Sequence, residues 1–228
     1  MKNPFSELTK KEWILYLTSL VVVLASNFFA SEINIINMIG TAFGVTALIF
    51  IAKGNVFGQF LMVIFGTLYS ISALRFRYYS ELITYLGMTV PLSITSIVTW
   101  LKNPSDTNKN QVKIRKFTVK ELILSLSLTV VVTIIFFFVL RALNTPNLIV
   151  STISISTSFF ASFLMQRRIA FYAIGFVFND IVLIVLWTIS SFTDLTSLAM
   201  VACFTMFLIN DIHGFTKWTK REKEQNSN

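Results

Sequence analysis

Asn179 and Asp180 stand side by side in the middle of an apolar run, FVFNDIVLIVLW. At membrane depth a carboxylate costs at least about 2.5 to 3.5 kcal/mol on insertion scales, so it faces a cavity, a partner or a bound ligand. The nearest basic residues in the same stretch, Arg167 and Arg168, lie about three turns away at 3.6 residues per turn, too far to neutralise it locally. The chemistry on offer is therefore counter-charge and hydrogen-bond acceptance for a ligand. Phe176, Asp180, Leu183 and Trp187 fall on one helical face, which joins the carboxylate to an indole. Gln59, Gly66 and Ser70 form a second face with Tyr69 beside it, and Gly66 lets backbone or ligand approach closely. Tyr78, Tyr85 and Leu92 recur by sevens, and Asn210 lies in the run INDIHGF. The candidate binding set is Gln59, Tyr69, Tyr85, Asn179, Asp180, Trp187 and Asn210. Asp211 reads as a solvated cap near a helix end. The hydroxyls from Ser151 to Ser158 read as helix-packing groups, and Trp13, Tyr16, Trp100 and Trp218 as interfacial belt or anchor residues.

Other chemistries are excluded. Cys203 is the single cysteine and His213 the single histidine, so neither a disulfide framework nor a His/Cys metal site is expected. There is no HExxH helix, no nucleophile turn and no phosphate-binding Gly-rich loop ending in Lys-Ser/Thr. The expectation is a protein without metal or cofactor that is not an enzyme. A membrane-embedded enzyme or a structural membrane subunit is the competing class.

The elements that must position these residues are membrane helices. Hydrophobic residues make up 54% of the 228 and charged ones 13%, and the mean hydropathy is +0.71. A spanning helix needs about 20 apolar residues for a hydrocarbon core about 30 Å thick. Eight such stretches are predicted, at 13–30, 33–52, 55–74, 79–101, 118–141, 146–165, 168–190 and 195–215. Short loops make neighbours antiparallel, and only Lys102 to Phe117, rich in Asn, Ser, Asp and Pro, is a hydrophilic linker. With the N-terminus cytoplasmic, 16 of the 19 Lys and Arg residues fall inside, leaving Arg75, Arg77 and Arg141 outside. The net charge of +8 is thus topological and suits anionic lipid headgroups, with no nucleic-acid partner. The first helix, which lacks a cleavage site, reads as a retained anchor.

An internal repeat is also visible. At an offset of 113, Asn34 falls on Asn147 and Lys53-Gly54 on Gln166-Arg167; at 115, ITSIVTWLK falls on INDIHGFTK. The expected architecture is an all-α membrane protein: a leading helix (1–32), a three-helix bundle (33–103), a linker with its helix (104–142), a parallel second bundle (143–216) and a cytoplasmic tail (217–228). Pro91 lies in the middle of the fourth helix, where it bends the chain and is the candidate gating hinge.

Four stretches carry a resemblance to a known family: Lys53 to Ser70 (KGNVFGQFLMVIFGTLYS), Tyr78 to Asn103, Phe178 to Trp187 (FNDIVLIVLW) and Ile209 to Trp218 (INDIHGFTKW). Over residues 33–220 the chain resembles the PnuC family of nicotinamide riboside transporters. The resemblance implies a fold like the sugar-transporting SWEET proteins, a vitamin-sized ligand between the bundles, facilitated diffusion, a homotrimer and a bacterial plasma-membrane location. Tyr79, Glu81 and Tyr85 stand where many relatives have a Tyr, an acid and a Gln, and the Trp-rich end of the first repeat is reduced to Trp100. Relatives with altered cavities take thiamine or riboflavin, the alternative ligands here.

Overall fold

The computed structural model describes residues 3–28, 35–75, 79–193 and 195–227; Asn34, Arg77 and Tyr78 lie outside them. Among the described residues eight long helices run in order: α1 Lys10–Asn27, α2 Ile35–Ala52, α3 Phe57–Arg75, α4, α5 Val119–Ala142, α6 Leu148–Gln166, α7 Tyr172–Ser191 and α8 Leu198–Ser227. α4 consists of Tyr79–Thr84, a π-helical turn Tyr85–Thr89 and Val90–Lys102 without a break. Five of the helices, α4 to α8, are long and apolar enough to cross a membrane, and α2 and α3 hold shorter apolar stretches, Met38–Ala52 and Phe57–Ile71. α2, α3 and α4 form one bundle and α6, α7 and α8 the other. The bundles meet along two seams, α2 against α8 and α4 against α6. α5 leans on α6, and only 6% of its apolar window is buried, so its outer face is available to lipid.

The π turn in α4 has a local cause. Pro91 has no N–H to donate, and its ring would clash with the carbonyl one turn earlier in a regular helix. The chain widens by one residue ahead of it, with Val90 N–H bonding the Tyr85 carbonyl across five residues. Pro91 itself is on the exposed face, and the widened turn aims Tyr85 and Thr89 inward.

The repeat is deeper than the sequence offsets suggest. Gly54 (φ +67°) and Arg168 (φ +64°) occupy the same left-handed position, 114 residues apart, in the turns after α2 and α6. In each turn the next residue's N–H reaches back five residues: Asn55 to the Phe50 carbonyl and Ile169 to the Leu164 carbonyl. This corrects the pairing of Gly54 with Arg167. The two leading helices are also equivalent. Thr9 caps α1 over Glu12, and Thr118 caps α5 over Glu121. Glu12 then pairs with Lys53 in the first turn, at 3.0 Å, and Glu121 with Arg167 in the second, at 2.7 Å. The chain is thus two successive four-helix units, each opened by a Thr-x-Lys-Glu cap that grips the first turn of its own trio.

One end of the molecule is heavily tied, and it is the end that carries the linker. Val112 N–H bonds the Gly54 carbonyl and Arg115 N–H the Arg168 carbonyl, both at 2.9 Å, so the linker straps the two equivalent turns together. Lys113, at 2.7 Å from Asp106, holds that carboxyl below its usual range. α8 does not stop at 215 but continues through Ser227. The Arg221 guanidinium donates to the Lys53 and Val112 carbonyls, and the Gln225 side chain accepts from Ile114 N–H, which holds this polar stretch against the strap. Two of the three tryptophans expected in an interfacial belt are instead buried: Trp100 in α4 donates to the Met165 carbonyl (3.2 Å), and Trp218 in α8 to the Ile51 carbonyl (2.9 Å). Ile51 and Met165 are again 114 apart, so each seam carries the same indole-to-carbonyl bond.

Two outcomes follow for stability. Trp218→Phe and Trp100→Phe keep a ring but lose the bond across the seam, while the Ile51 and Met165 carbonyls keep the Gly54 and Arg168 N–H groups; each should cost about 0.5 to 1.5 kcal/mol, read as a lowered thermal midpoint in detergent. Midpoints equal to wild type for both would refute the seam bonds. Glu12→Gln should cost about 2 kcal/mol and Glu121→Gln about half of that, because the Lys53 side chain is only 12% exposed while those of Arg167 and Arg115 are 30% and 42% exposed and better solvated. Equal losses would contradict that ordering.

Candidate functional site

The cavity lies between the bundles, above the tryptophan seams. α7 enters it with Tyr172, Phe176, Asn179 and Asp180, three of which, Tyr172, Phe176 and Asp180, repeat by fours down one face. α8 supplies Phe204, Phe207 and Asp211, and α6 supplies Ser158, Ser162 and Met165. From the first bundle come Leu48 and Ile51 of α2, Met62 and Phe65 of α3, and Tyr85 and Thr89 of the π turn. Toward the linker the floor is closed by Tyr172, whose ring is 4.8 Å from that of Trp218, and by Trp218 against Trp100 at 5.5 Å. The space between side chains, its mouth included, is about 550 Å³, but water centres reach only about 40 Å³ of it. That holds about three waters. A nucleoside-sized molecule therefore enters only when the lining side chains part.

The polar groups of the cavity divide into satisfied and unsatisfied ones. Asn179 is held by α6, its Oδ1 accepting from Thr157 Oγ1 at 3.0 Å and from Ser154 Oγ at 3.5 Å. Asp180 and Asp211, 2% and 4% exposed, hydrogen-bond to each other across α7 and α8. A bond between two carboxyl groups needs one proton between them. Among the described residues Asp180 Oδ2, Ser162 Oγ and Tyr172 Oη are buried without a protein partner, and all three belong to lining residues. Buried polar atoms are normally paired, so three unpaired ones converging on a cavity point to a ligand that pairs them. No group of three or more His, Cys, Asp or Glu side chains able to hold a metal is present among the described residues.

Of the residues singled out by sequence, Tyr85, Asn179 and Asp180 are brought together here. Tyr69 stands behind the lining, its ring 4.5 Å from that of Tyr85. Gln59 is fully buried one turn closer to the linker than Met62, and neither end of its amide has a partner among the described residues. Trp187 is buried two turns past Asp180, outside the lining. Asn210 is turned away, donating to Ser19 Oγ of α1 at 2.9 Å and to the Met206 carbonyl at 2.7 Å. Its neighbour Asp211, rotated about 100° around the helix, faces the cavity instead, which corrects the reading of Asp211 as a solvated cap. Gly66 admits Val90, the residue after the π turn, whose methyl would lie 2.8 Å from an added Cβ. Sequence reasoning also passed over Ser162, Tyr172, Phe204 and Phe207, and it read Ser158, a lining residue, as a helix-packing hydroxyl; of those passed over, Tyr172 alone had a clear signal, four residues before Phe176.

Comparison with known proteins agrees with this architecture. The curated nicotinamide riboside transporter PnuC of Neisseria mucosa is 25% identical over 184 residues, covering 79% of this chain and 70% of that protein. A crystal structure of the vitamin B3 transporter PnuC superposes with a TM-score of 0.83 at 23% identity, covering 96% of this chain and 94% of that one, and so shares the fold. The model of the family described as nicotinamide mononucleotide transporter matches residues 34–220, and the chain belongs to that family.

Proposed function

We propose that this protein carries nicotinamide riboside across the membrane by facilitated diffusion through the cavity between its bundles. The observation that carries the reading is the character of the lining: two carboxyls, an amide, hydroxyls and aromatic rings, with no Lys, Arg or His among the lining residues. A mononucleotide would bring a phosphate into that cavity with no cation to meet it. The riboside has a positive ring and free hydroxyls, for which the lining offers acids, aromatic faces and unpaired acceptors. Thiamine, also cationic, is the second ligand that the acid pair suits; riboflavin is neutral and gains nothing from it.

The remaining expectations are carried forward as parts of the same proposal. Residues 33–103 and 143–216 are the two moving bundles, 1–32 and 104–142 their leading segments, and 217–228 the tail. The basic linker, turns and tail lie in the cytoplasm of a bacterial cell, and the apolar outer face of α5 contacts lipid or neighbouring copies in a homotrimer. The π turn before Pro91 is the hinge that lets the first bundle rock, and Gln59, Tyr69, Trp187 and Asn210 support the path from behind the lining or beyond it.

Purified protein in vesicles held at zero membrane potential and without a pH gradient should equilibrate labelled nicotinamide riboside to equal inside and outside concentrations, and should leave nicotinamide mononucleotide outside. Uptake only under a proton gradient, or uptake of the mononucleotide, would overturn the reading. Asn179→Ala should weaken riboside binding about tenfold, the loss of about one hydrogen bond. Its thermal midpoint should barely move, because Thr157 Oγ1 keeps the Ile153 and Ser154 carbonyls as acceptors. A large stability loss with unaltered affinity would make Asn179 a packing residue.

A further inference from the structure

We propose that Asp180 and Asp211 act as one acid pair that selects the ligand by its charge, accepting a single positive charge and discriminating against a neutral molecule of the same shape. The inference rests on the nicotinamide riboside reading above and names what enforces it. Both residues line the cavity, one from α7 and one from α8, and both are almost wholly buried. Their mutual hydrogen bond requires at least one proton, and with one proton shared the pair carries one net negative charge, the state the proposal assigns to it. Asp180 Oδ2, buried and without a protein partner, is the atom left to present that charge to a ligand.

The surroundings leave the charge uncompensated. α7 adds Tyr172 and α8 adds Cys203; α4 adds Tyr85, with Glu81 behind it. α6 faces the cavity with Ser158 and Ser162, and α2 and α3 with apolar side chains. Among the described residues Arg221 acts on Tyr172 from the linker side, but it is committed to the Lys53 and Val112 carbonyls. Asn179 is neutral and already bonded to α6. A cation is thus the natural counter-charge, since a buried charge without one is costly. A second proton on the pair removes the reason for the preference.

The test compares nicotinamide riboside with its uncharged 1,4-dihydro form, binding to the detergent-solubilised full chain. Wild type should hold the cation at least about tenfold tighter, equivalent to about 1.4 kcal/mol. Asp180→Asn and Asp211→Asn should bind the two forms alike, the cation losing its advantage over the dihydro form. Equal affinities in wild type, or a full preference surviving in both variants, would overturn the proposal. A second measurement needs no variant: lowering the pH should weaken cation binding by wild type toward the affinity of the dihydro form, whose own affinity stays constant. Parallel weakening of both forms would count against the pair. Should neither form bind, the riboside reading fails. The same comparison of thiamine with its neutral oxidation product thiochrome then decides the charge selection separately: a preference lost in the Asn variants upholds it, and no preference ends it.

Discussion

Two indole N–H groups set the frame on which the rest depends. In a membrane the backbone carbonyl of a helix end has no water to turn to, and an unmade bond there is costly. Trp100 and Trp218 give two such carbonyls a second donor across the seams, beside the Arg168 and Gly54 N–H groups of their own turns, each reaching from the last helix of one unit to the end of the second helix of the other. Because both bonds lie at the linker end, and the strap joins the same two turns through Val112 and Arg115, the bundles are fastened there. The cavity floor is a by-product of that fastening, since the same tryptophans and Tyr172 fill the space beneath it. Relative movement of the bundles then has its cheapest direction at the other end of the seams.

Within that frame the fate of each buried polar group separates scaffold from site. Asn210 is spent on Ser19, Ser156 on Thr133 across α6 and α5, and Asn179 on Thr157. Such pairs fix helix rotation and leave nothing over for a ligand beyond the second capacity of an amide. Asp180, Ser162 and Tyr172 keep unpaired atoms at the same cavity, which folding alone does not explain. A protein tolerates that arrangement where binding completes it.

Much of this was legible in the residues, and the failures have physical reasons. Helix number and order follow from apolar length, and Asp180 was conspicuous because a carboxylate in an apolar run demands an account. Periodicity gives direction but not depth, which is why Trp187 and Gln59 were assigned to inward faces while lying beyond the cavity at either end. Asp211 was misjudged because hydropathy falls at Lys217 and suggests a helix end, whereas α8 runs on through Ser227 and makes Asp211 a mid-helix residue. Trp100 and Trp218 resemble belt residues in sequence, since nothing local reveals that a carbonyl of another helix awaits them. The equivalence of α1 with α5 escaped because its four-residue cap is short and its offset, 109, differs from the 114 of the turns.

The symmetry of the frame makes the asymmetry of the lining informative. At the offset that equates Gly54 with Arg168, Asn179 and Asp180 correspond to Phe65 and Gly66. Phe65 lines the cavity as a ring, and Gly66 vanishes beneath Val90, the residue after the π turn. Every amide and carboxyl of the lining thus comes from the second unit, while the first contributes apolar side chains, Tyr85 and Thr89. A symmetric pair of acids would place too much negative charge in one confined space. Concentrating the acids on one wall and giving the facing wall rings and aliphatic groups instead creates a single polarity across the cavity. A ligand with one charged ring and one hydroxylated end can take a defined orientation in it, which two identical walls would not provide.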